Sequence, residues 1–179
     1  MARLIVLAGP PAGGKSSIAR ELARRTGAVW LRVDSMDQAI WASGTAPADL
    51  EDWTCRAAQA VAEDNLRLGR EVIGDGVNDL KVVRDGWQDA GRRAGADVVW
   101  VEVICSDPAA HRRRVQTRTS DIPSLVLPDW QDVIGRQHDP WDRERLILDT
   151  AGRSIGDCVD QVQTALEAAA RAEGPGRRP

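Results

Sequence analysis

The chain of 179 residues has no phenylalanine, no tyrosine and only two lysines, Lys15 and Lys81. All its other basic residues apart from two histidines are arginines, so the position of each lysine is informative. Cysteine is also scarce: Cys55, Cys105 and Cys158 are far apart and form no CxxC pair. This spacing is typical of buried thiols in a reducing compartment, and it argues against a disulfide or a zinc site.

Positive charge is not in excess either. A formal net charge of −3 disfavours electrostatic binding to duplex nucleic acid, so we expect no nucleic-acid partner. The first apolar run, residues 4–8, is too short for a signal peptide or a membrane span. We therefore expect a cytoplasmic protein with no membrane partner. No pattern in the sequence indicates its oligomeric state.

Apolar runs alternate with helical patterns along the chain, which predicts an α/β fold: a three-layer sandwich with a five-stranded parallel sheet. The predicted strands are 3–8, 28–33, 71–75, 98–104 and 145–149. The predicted helices are 15–26, 35–42, 48–69, 81–94, 107–118, 129–137 and 154–171. We expect one domain over residues 1–172 and a disordered tail over 173–179.

The segment GPPAGGKSS, residues 9–17, follows the first predicted strand and precedes a predicted helix. It satisfies the pattern G-x-x-x-x-G-K-[ST], in which glycines let backbone N–H groups surround a phosphate. Lys15 is expected to reach the β- and γ-phosphates, and the Ser16 hydroxyl to bind Mg²⁺. The predicted nucleotide-binding residues of this loop are Gly9, Ala12, Gly13, Gly14, Lys15, Ser16 and Ser17.

Asp34, Asp75 and Asp149 each follow an apolar run, and ligands of open α/β sheets bind beyond the carboxyl ends of strands. Asp34 is placed to accept a proton from an attacking hydroxyl, although Asp34 or Ser35 also fits a helix N-cap. Asp75 fits a Mg²⁺ or substrate ligand, or a turn cap in the segment that contains Asn78.

A basic segment follows the fourth predicted strand. At helical spacing Arg114 and Arg118 share a face, and the proline-containing segment after them is typical of a loop that opens and closes. Such an arginine-bearing lid, over about 110–140, would neutralise the charge of a transferring phosphoryl group and exclude water. We expect Arg112 and Arg113 to be solvated and His111 to be structural.

The segments GPPAGGKSS, VDSMDQAI, VIGDGVND, CSDPAAHRRRVQTR and DTAG together resemble the small P-loop kinases with an arginine lid, in particular the polynucleotide 5′-kinase and adenylyl-sulfate-kinase-like group of AAA-family ATPases. The resemblance implies ATP and Mg²⁺ as cofactors, Asp34 as general base, Arg118 as the lid arginine and Lys15 as a catalytic residue. It implies that Arg114 and Gly152 contact the nucleotide, and that Asp75 binds the metal or the acceptor.

The acceptor region is expected at about 35–70, where Asp34, Asp75, Asn78 and Trp41 are the candidate substrate residues. The acidic residues there, Asp37, Asp49, Glu51 and Asp52, favour a neutral or cationic acceptor. The leading hypothesis is an ATP-dependent kinase that phosphorylates the hydroxyl of a small molecule such as a sugar, nucleoside or antibiotic. The alternatives are a nucleotide-dependent switch or ATPase, and a polynucleotide 5′-hydroxyl kinase. No N-K-x-D segment supports a GTPase.

Overall fold

The computed structural model describes residues 2–44 and 53–172, with the side chain of residue 172 left out. Five strands form one parallel sheet in the order β2-β3-β1-β4-β5. They are β1 (Arg3–Ala8), β2 (Val29–Arg32), β3 (Val72–Asp75), β4 (Asp97–Ile104) and β5 (Leu146–Asp149). The predicted three-layer α/β architecture is confirmed.

Seven helices connect or follow the strands in the described part of the chain. They are α1 (Lys15–Thr26), α2 (Val33–Ala42), α3 (Trp53–Arg67), α4 (Lys81–Ala94), α5 (Pro108–Thr117), α6 (Trp130–Ile134) and α7 (Ile155–Ala172). Residues 45–52, which include Asp49, Glu51, Asp52 and the predicted start of the third helix, lie outside the described residues. The expected tail at 173–179 does too.

The core lies on both faces of the sheet. On one face, Ile18 and Leu22 of α1 and Val159 and Val162 of α7 pack against Ile5 and its neighbours in the sheet. On the other face, α3 and α4 contribute Ala58, Ala62 and the fully buried Trp87. Because β1 is covered on both sides, its sequence is an uninterrupted apolar run from Leu4 to Ala8.

Three predicted boundaries are wrong in ways that affect the site. Helix α2 begins at Val33 directly after β2, so Asp34 lies in its first turn and neither Asp34 nor Ser35 is the N-cap. Helix α5 ends at Thr117, and Arg118 has extended backbone angles (φ −65°, ψ 146°), so Arg114 and Arg118 do not share a helix face. Helix α6 is a short helix that ends before Gly135.

The cysteines form no disulfide, as expected. The prediction that all three thiols are buried is wrong, since Cys158 is buried whereas Cys55 and Cys105 are partly exposed. Within the described residues, no helix combines the length and the apolar character that crossing a bilayer requires.

Candidate active site

The loop between β1 and α1 has the backbone of a phosphate cradle. Gly9 has φ +128°, and a Cβ there would lie 2.2 Å from the carbonyl oxygen of Val103. Its amide donates to the carbonyl oxygen of Val77 at 2.9 Å, which fixes the start of the loop against the turn after β3. Gly14 has φ +111° and is the N-cap of α1. Both positions therefore require glycine.

The N-terminus of α1 is open to an anion. Gly14 has no side chain with which to cap the helix, so its first N–H groups face the loop without a side-chain acceptor. Ala12 adopts φ +60°, a conformation that residues with a Cβ seldom adopt, and this turns the loop over the helix N-terminus. Loop amides and the helix dipole thus converge where a phosphate would bind.

Lys15 lies at the base of this loop and is buried. Its Nζ donates to the carbonyl oxygens of Gly9 at 2.8 Å and Pro10 at 2.9 Å. Burial lowers the pKa of Lys15 to about 8, against the opposing effect of the nearby carboxylates of Asp75 and Asp34. A buried ammonium group beside the cradle is suited to bind phosphate oxygens, because their negative charge would offset the cost of burying its positive charge.

Asp75 lies beside the cradle because β3 pairs with β1, with Leu7 opposite Asp75. It is 2% exposed and accepts a hydrogen bond from Nε1 of Trp30 at 3.1 Å. Burial raises the pKa of Asp75, whereas Lys15 and the Ser16 hydroxyl lower it. A buried carboxylate beside a serine hydroxyl is a donor pair that suits Mg²⁺, which binds through one or two carboxylates and the substrate phosphates.

Asp34 and Asp37 both line the cleft from α2, one helical turn apart. Strand β2 ends at Arg32, which lies opposite Asp75 of β3 in the sheet register, and α2 starts at the next residue. This tight connection places Asp34 close enough to Lys15 and Asp75 for its charge to affect the pKa of both. Asp34 therefore lies on the side of the cleft where Lys15 and Asp75 meet the cradle.

Arg118 enters the same cleft from the end of α5. Its Nε and one of its terminal nitrogens are buried and have no hydrogen-bond partner among the described residues. Burial lowers the pKa of its guanidinium, and the carboxylate of Asp34 raises it. Unpartnered donors facing a cleft are ready to bind an anion.

Arg114 also lines the cleft, but its guanidinium is held by Thr150 after β5, with donor–acceptor distances of 2.7 Å to Oγ1 and 2.8 Å to the carbonyl oxygen. His111 is buried, and its Nε2 lies 2.8 Å from the carbonyl oxygen of Pro11. These contacts attach α5 to the nucleotide side of the cleft.

The cleft lining also contains four arginines to which the sequence assigned no role: Arg20, Arg32, Arg136 and Arg153. Arg32 donates to the Asp121 carboxylate at 2.8 Å, and its buried Nε has no hydrogen-bond partner in the described part of the chain. Arg136 binds Asp79. Asp121 and Arg136 both belong to the predicted lid, so these two ion pairs hold it to the rest of the domain. Arg32 and Arg136 resemble ordinary surface charges in the sequence, and no local motif marks them.

These groups surround a cleft of about 960 Å³. Of the predicted site residues, it brings together Ala12, Gly14, Lys15, Ser16, Ser17, Asp34, Asp75, Asn78, Arg114 and Arg118. Gly9 and Gly13 shape the loop beneath it.

Three candidate residues are placed differently from the expectation. The amide of Asn78 donates to the Leu7 carbonyl oxygen at 2.7 Å and accepts from Trp87 at 2.9 Å, so it supports the strands. Trp41 is 57% exposed and borders a separate cavity of about 490 Å³ between α2 and residues 122–124. Gly152 has φ +67° and is not part of the cleft lining.

Several solved structures that share this fold are described as kinases. A sugar kinase from Janibacter sp. is 15% identical with a TM-score of 0.68, over 93% of this chain and 95% of that one. The Mycobacterium tuberculosis APS kinase in complex with AMPPNP and APS is 19% identical with a TM-score of 0.68, over 93% and 98%. A Sinorhizobium meliloti gluconokinase is 18% identical with a TM-score of 0.64, over 94% and 93%. No curated protein matches the chain.

The parallel sheet and the glycine-rich cradle between its first strand and first helix are those of the small P-loop kinases, which confirms the resemblance. The chain belongs to the AAA domain family, whose model matches residues 4–136.

Proposed function

We propose that the protein is an ATP-dependent phosphotransferase that moves the γ-phosphate to a hydroxyl group of a small molecule. The observation that carries this proposal is that the Asp34 carboxylate and the unpartnered Arg118 guanidinium line the same cleft as Lys15. A nucleotide-binding module needs the cradle alone. A carboxylate and a free guanidinium beside the γ-phosphate position are what transfer to an acceptor requires in addition.

In the proposed reaction, the loop amides and Lys15 bind the phosphates and orient the γ-phosphate toward Asp34. Asp34 accepts the proton of the acceptor hydroxyl as its oxygen bonds to phosphorus. Arg118 neutralises the charge on the transferring phosphoryl oxygens, and residues 118–136 exclude water from the cleft. The phosphate leaves on the acceptor, and ADP remains in the cradle.

Ser16 and Asp75 would hold Mg²⁺. The described residues contain no group of three or more His, Cys, Asp or Glu side chains that could bind a metal ion unaided. That suits Mg²⁺, which takes most of its ligands from phosphate and water. When bound, the ion would polarise the phosphates and offset their charge.

The test is acceptor-dependent ADP release. The protein is incubated with ATP and a library of hydroxyl compounds, with a 5′-hydroxyl oligonucleotide in a parallel reaction. We expect one class of small molecule to raise ADP release well above the acceptor-free rate and to carry the label from γ-labelled ATP. Labelling of the oligonucleotide alone, or ADP release that no compound alters, would contradict the proposal in favour of a polynucleotide kinase or an ATPase switch.

A further inference from the structure

The charged side chains that line the cleft are almost all partnered. Among the described residues, Asp75 binds Trp30, Asp79 binds Arg136, and Asp121 binds Arg32 with Arg20 3.9 Å away. Lys15, Arg114 and Arg153 also bind other groups of the described chain. Three charged groups of the lining differ from these: Arg118 and Asp34 have no ion pair or hydrogen bond to another described residue, and Asp37 has only the neutral hydroxyl of Thr54 as a donor.

Two of these three have a task in the proposed transfer. Arg118 faces the transferring phosphoryl group and Asp34 faces the attacking hydroxyl. Asp37 has none. It lies three residues after Asp34 on α2, which puts the two carboxylates on one face of the helix with their Cβ atoms about 5–6 Å apart.

Among the described residues, no cation contributes to the pKa shift of Asp37. Its pKa is raised by burial, and the carboxylate of Asp34 raises it further, while the Thr54 hydroxyl lowers it. Thr54 is itself buried, so its hydroxyl faces Asp37 from within the fold and not from solvent. Leu80 and Val83 of the same cleft are apolar. Asp37 is thus a half-buried carboxylate of the cleft lining with one neutral donor, so it can accept further hydrogen bonds.

We infer that Asp37 binds a second hydrogen-bond donor of the acceptor, and that the acceptor is therefore a polyol or amino alcohol that carries no anionic group. This inference rests on the proposed phosphotransfer. A hydroxyl or ammonium group two or three carbons from the phosphorylated hydroxyl would bind Asp37 while that hydroxyl binds Asp34. An anionic acceptor would face two carboxylates, and Arg20 and Arg32 are already bound by Asp121.

The experiment compares acceptors that differ in one group. The library is arranged in matched sets of alcohol, amine and carboxylate, such as glucitol, 1-amino-1-deoxyglucitol and gluconate. ADP release is measured for the wild-type protein, for Asp37→Asn and for Asp37→Ser. The control is Asp64→Asn, which removes an exposed carboxylate of α3 that is not part of the cleft lining.

We expect the alcohol or amine of the best set to be the preferred acceptor. Both Asp37 variants should raise its KM about 10–100-fold, as for the loss of a hydrogen bond to a charged group, and leave the KM for ATP unchanged. For the carboxylate acceptor of the same set, the Asp37 variants should reduce ADP release less than they do for the alcohol and the amine. The control should match the wild type in every comparison.

The outcomes separate the two claims. A preferred carboxylate acceptor, or an acceptor KM that both Asp37 variants leave unchanged, would overturn the role of Asp37 and leave phosphotransfer standing. If no compound raises ADP release by the wild-type protein, the proposed function fails, and the inference about Asp37 fails with it.

Discussion

The guanidinium of Arg114 binds Thr150 twice, through the Oγ1 atom at 2.7 Å and the carbonyl oxygen at 2.8 Å. The Oγ1 of Thr150 also lies 2.9 Å from the carbonyl oxygens of Gly13 and Ile104, and its single proton serves one of them at a time. One threonine thus connects the lid helix α5, the phosphate cradle and the end of β4. Arg114, which the resemblance assigned to the nucleotide, contacts the protein itself.

A double-mutant cycle tests this contact. We expect Arg114→Met and Thr150→Val to couple by about 1–2 kcal/mol in the free energy of unfolding without nucleotide, because the residues are in direct contact. Urea denaturation of the wild type, the two single variants and the double variant measures this coupling. The cycle cancels the effect of losing the hydrogen bonds from Thr150 to Gly13 and Ile104, because both Thr150 variants lose them. Additive effects, within about 0.5 kcal/mol, would show that the hydrogen bond from Arg114 to the Thr150 hydroxyl does not stabilise the fold.

The cradle glycine Gly9 gives a second prediction. Gly9→Ala combines a left-handed backbone with a Cβ placed 2.2 Å from the Val103 carbonyl oxygen. We expect it to lower the free energy of unfolding by about 3 kcal/mol. The control is Gly95→Ala at φ +67°, where a Cβ would meet nothing within 4 Å, so backbone strain alone should cost about 1 kcal/mol. Equal losses in urea denaturation would mean that the contact with Val103 is not rigid.

The two lysines form a matched pair. Lys15→Ala should reduce turnover about 10²–10³-fold, since it removes a buried cation that faces the phosphates. Lys81→Ala should have little effect, because Lys81 is exposed and pairs with Asp85 and Asp142 on the surface. Steady-state ADP release measures both. Similar activities in the two variants would show that Lys15 does not act on the phosphates.

The stability of Asp37→Asn should depend on pH in a defined direction. Because the folded state raises the pKa of Asp37, its ionised form destabilises the fold, and this penalty grows as the pH rises through the raised pKa. The variant should therefore have a higher Tm than the wild type at neutral pH. Below the ordinary pKa of an aspartate the Tm difference should vanish. A lower Tm at neutral pH would assign Asp37 a structural role.

The cradle could be predicted from sequence because its chemistry is local: glycines, lysine and serine at fixed spacing between a strand and a helix. The sheet followed from the continuous apolar runs, of which Leu4–Ala8 is the clearest. Arg32 and Arg136 could not be found in this way. Arg32 faces the cleft because β2 pairs with β3, and Arg136 faces it because it binds Asp79. Both contacts involve residues that are far away in the sequence.

The start of α2 illustrates the same limit. Asp34 and Ser35 are good N-cap residues, and the sequence pattern favoured a helix that began at residue 35. In the structure the helix starts at Val33, since β2 ends at the previous residue and Val33 is buried in the core beside the sheet. Burial of an apolar side chain outweighed the capping preference. As a result, Asp34 keeps its carboxylate available to the cleft.

The most direct test of the proposed chemistry is the rate of γ-phosphate transfer by Asp34→Asn in a single turnover with the best acceptor. The amide preserves the shape of the side chain but does not accept the proton of the hydroxyl, so transfer should slow about 10²–10⁴-fold. Nucleotide affinity should stay close to that of the wild type. Transfer at the wild-type rate by Asp34→Asn would contradict the assignment of Asp34 as the general base.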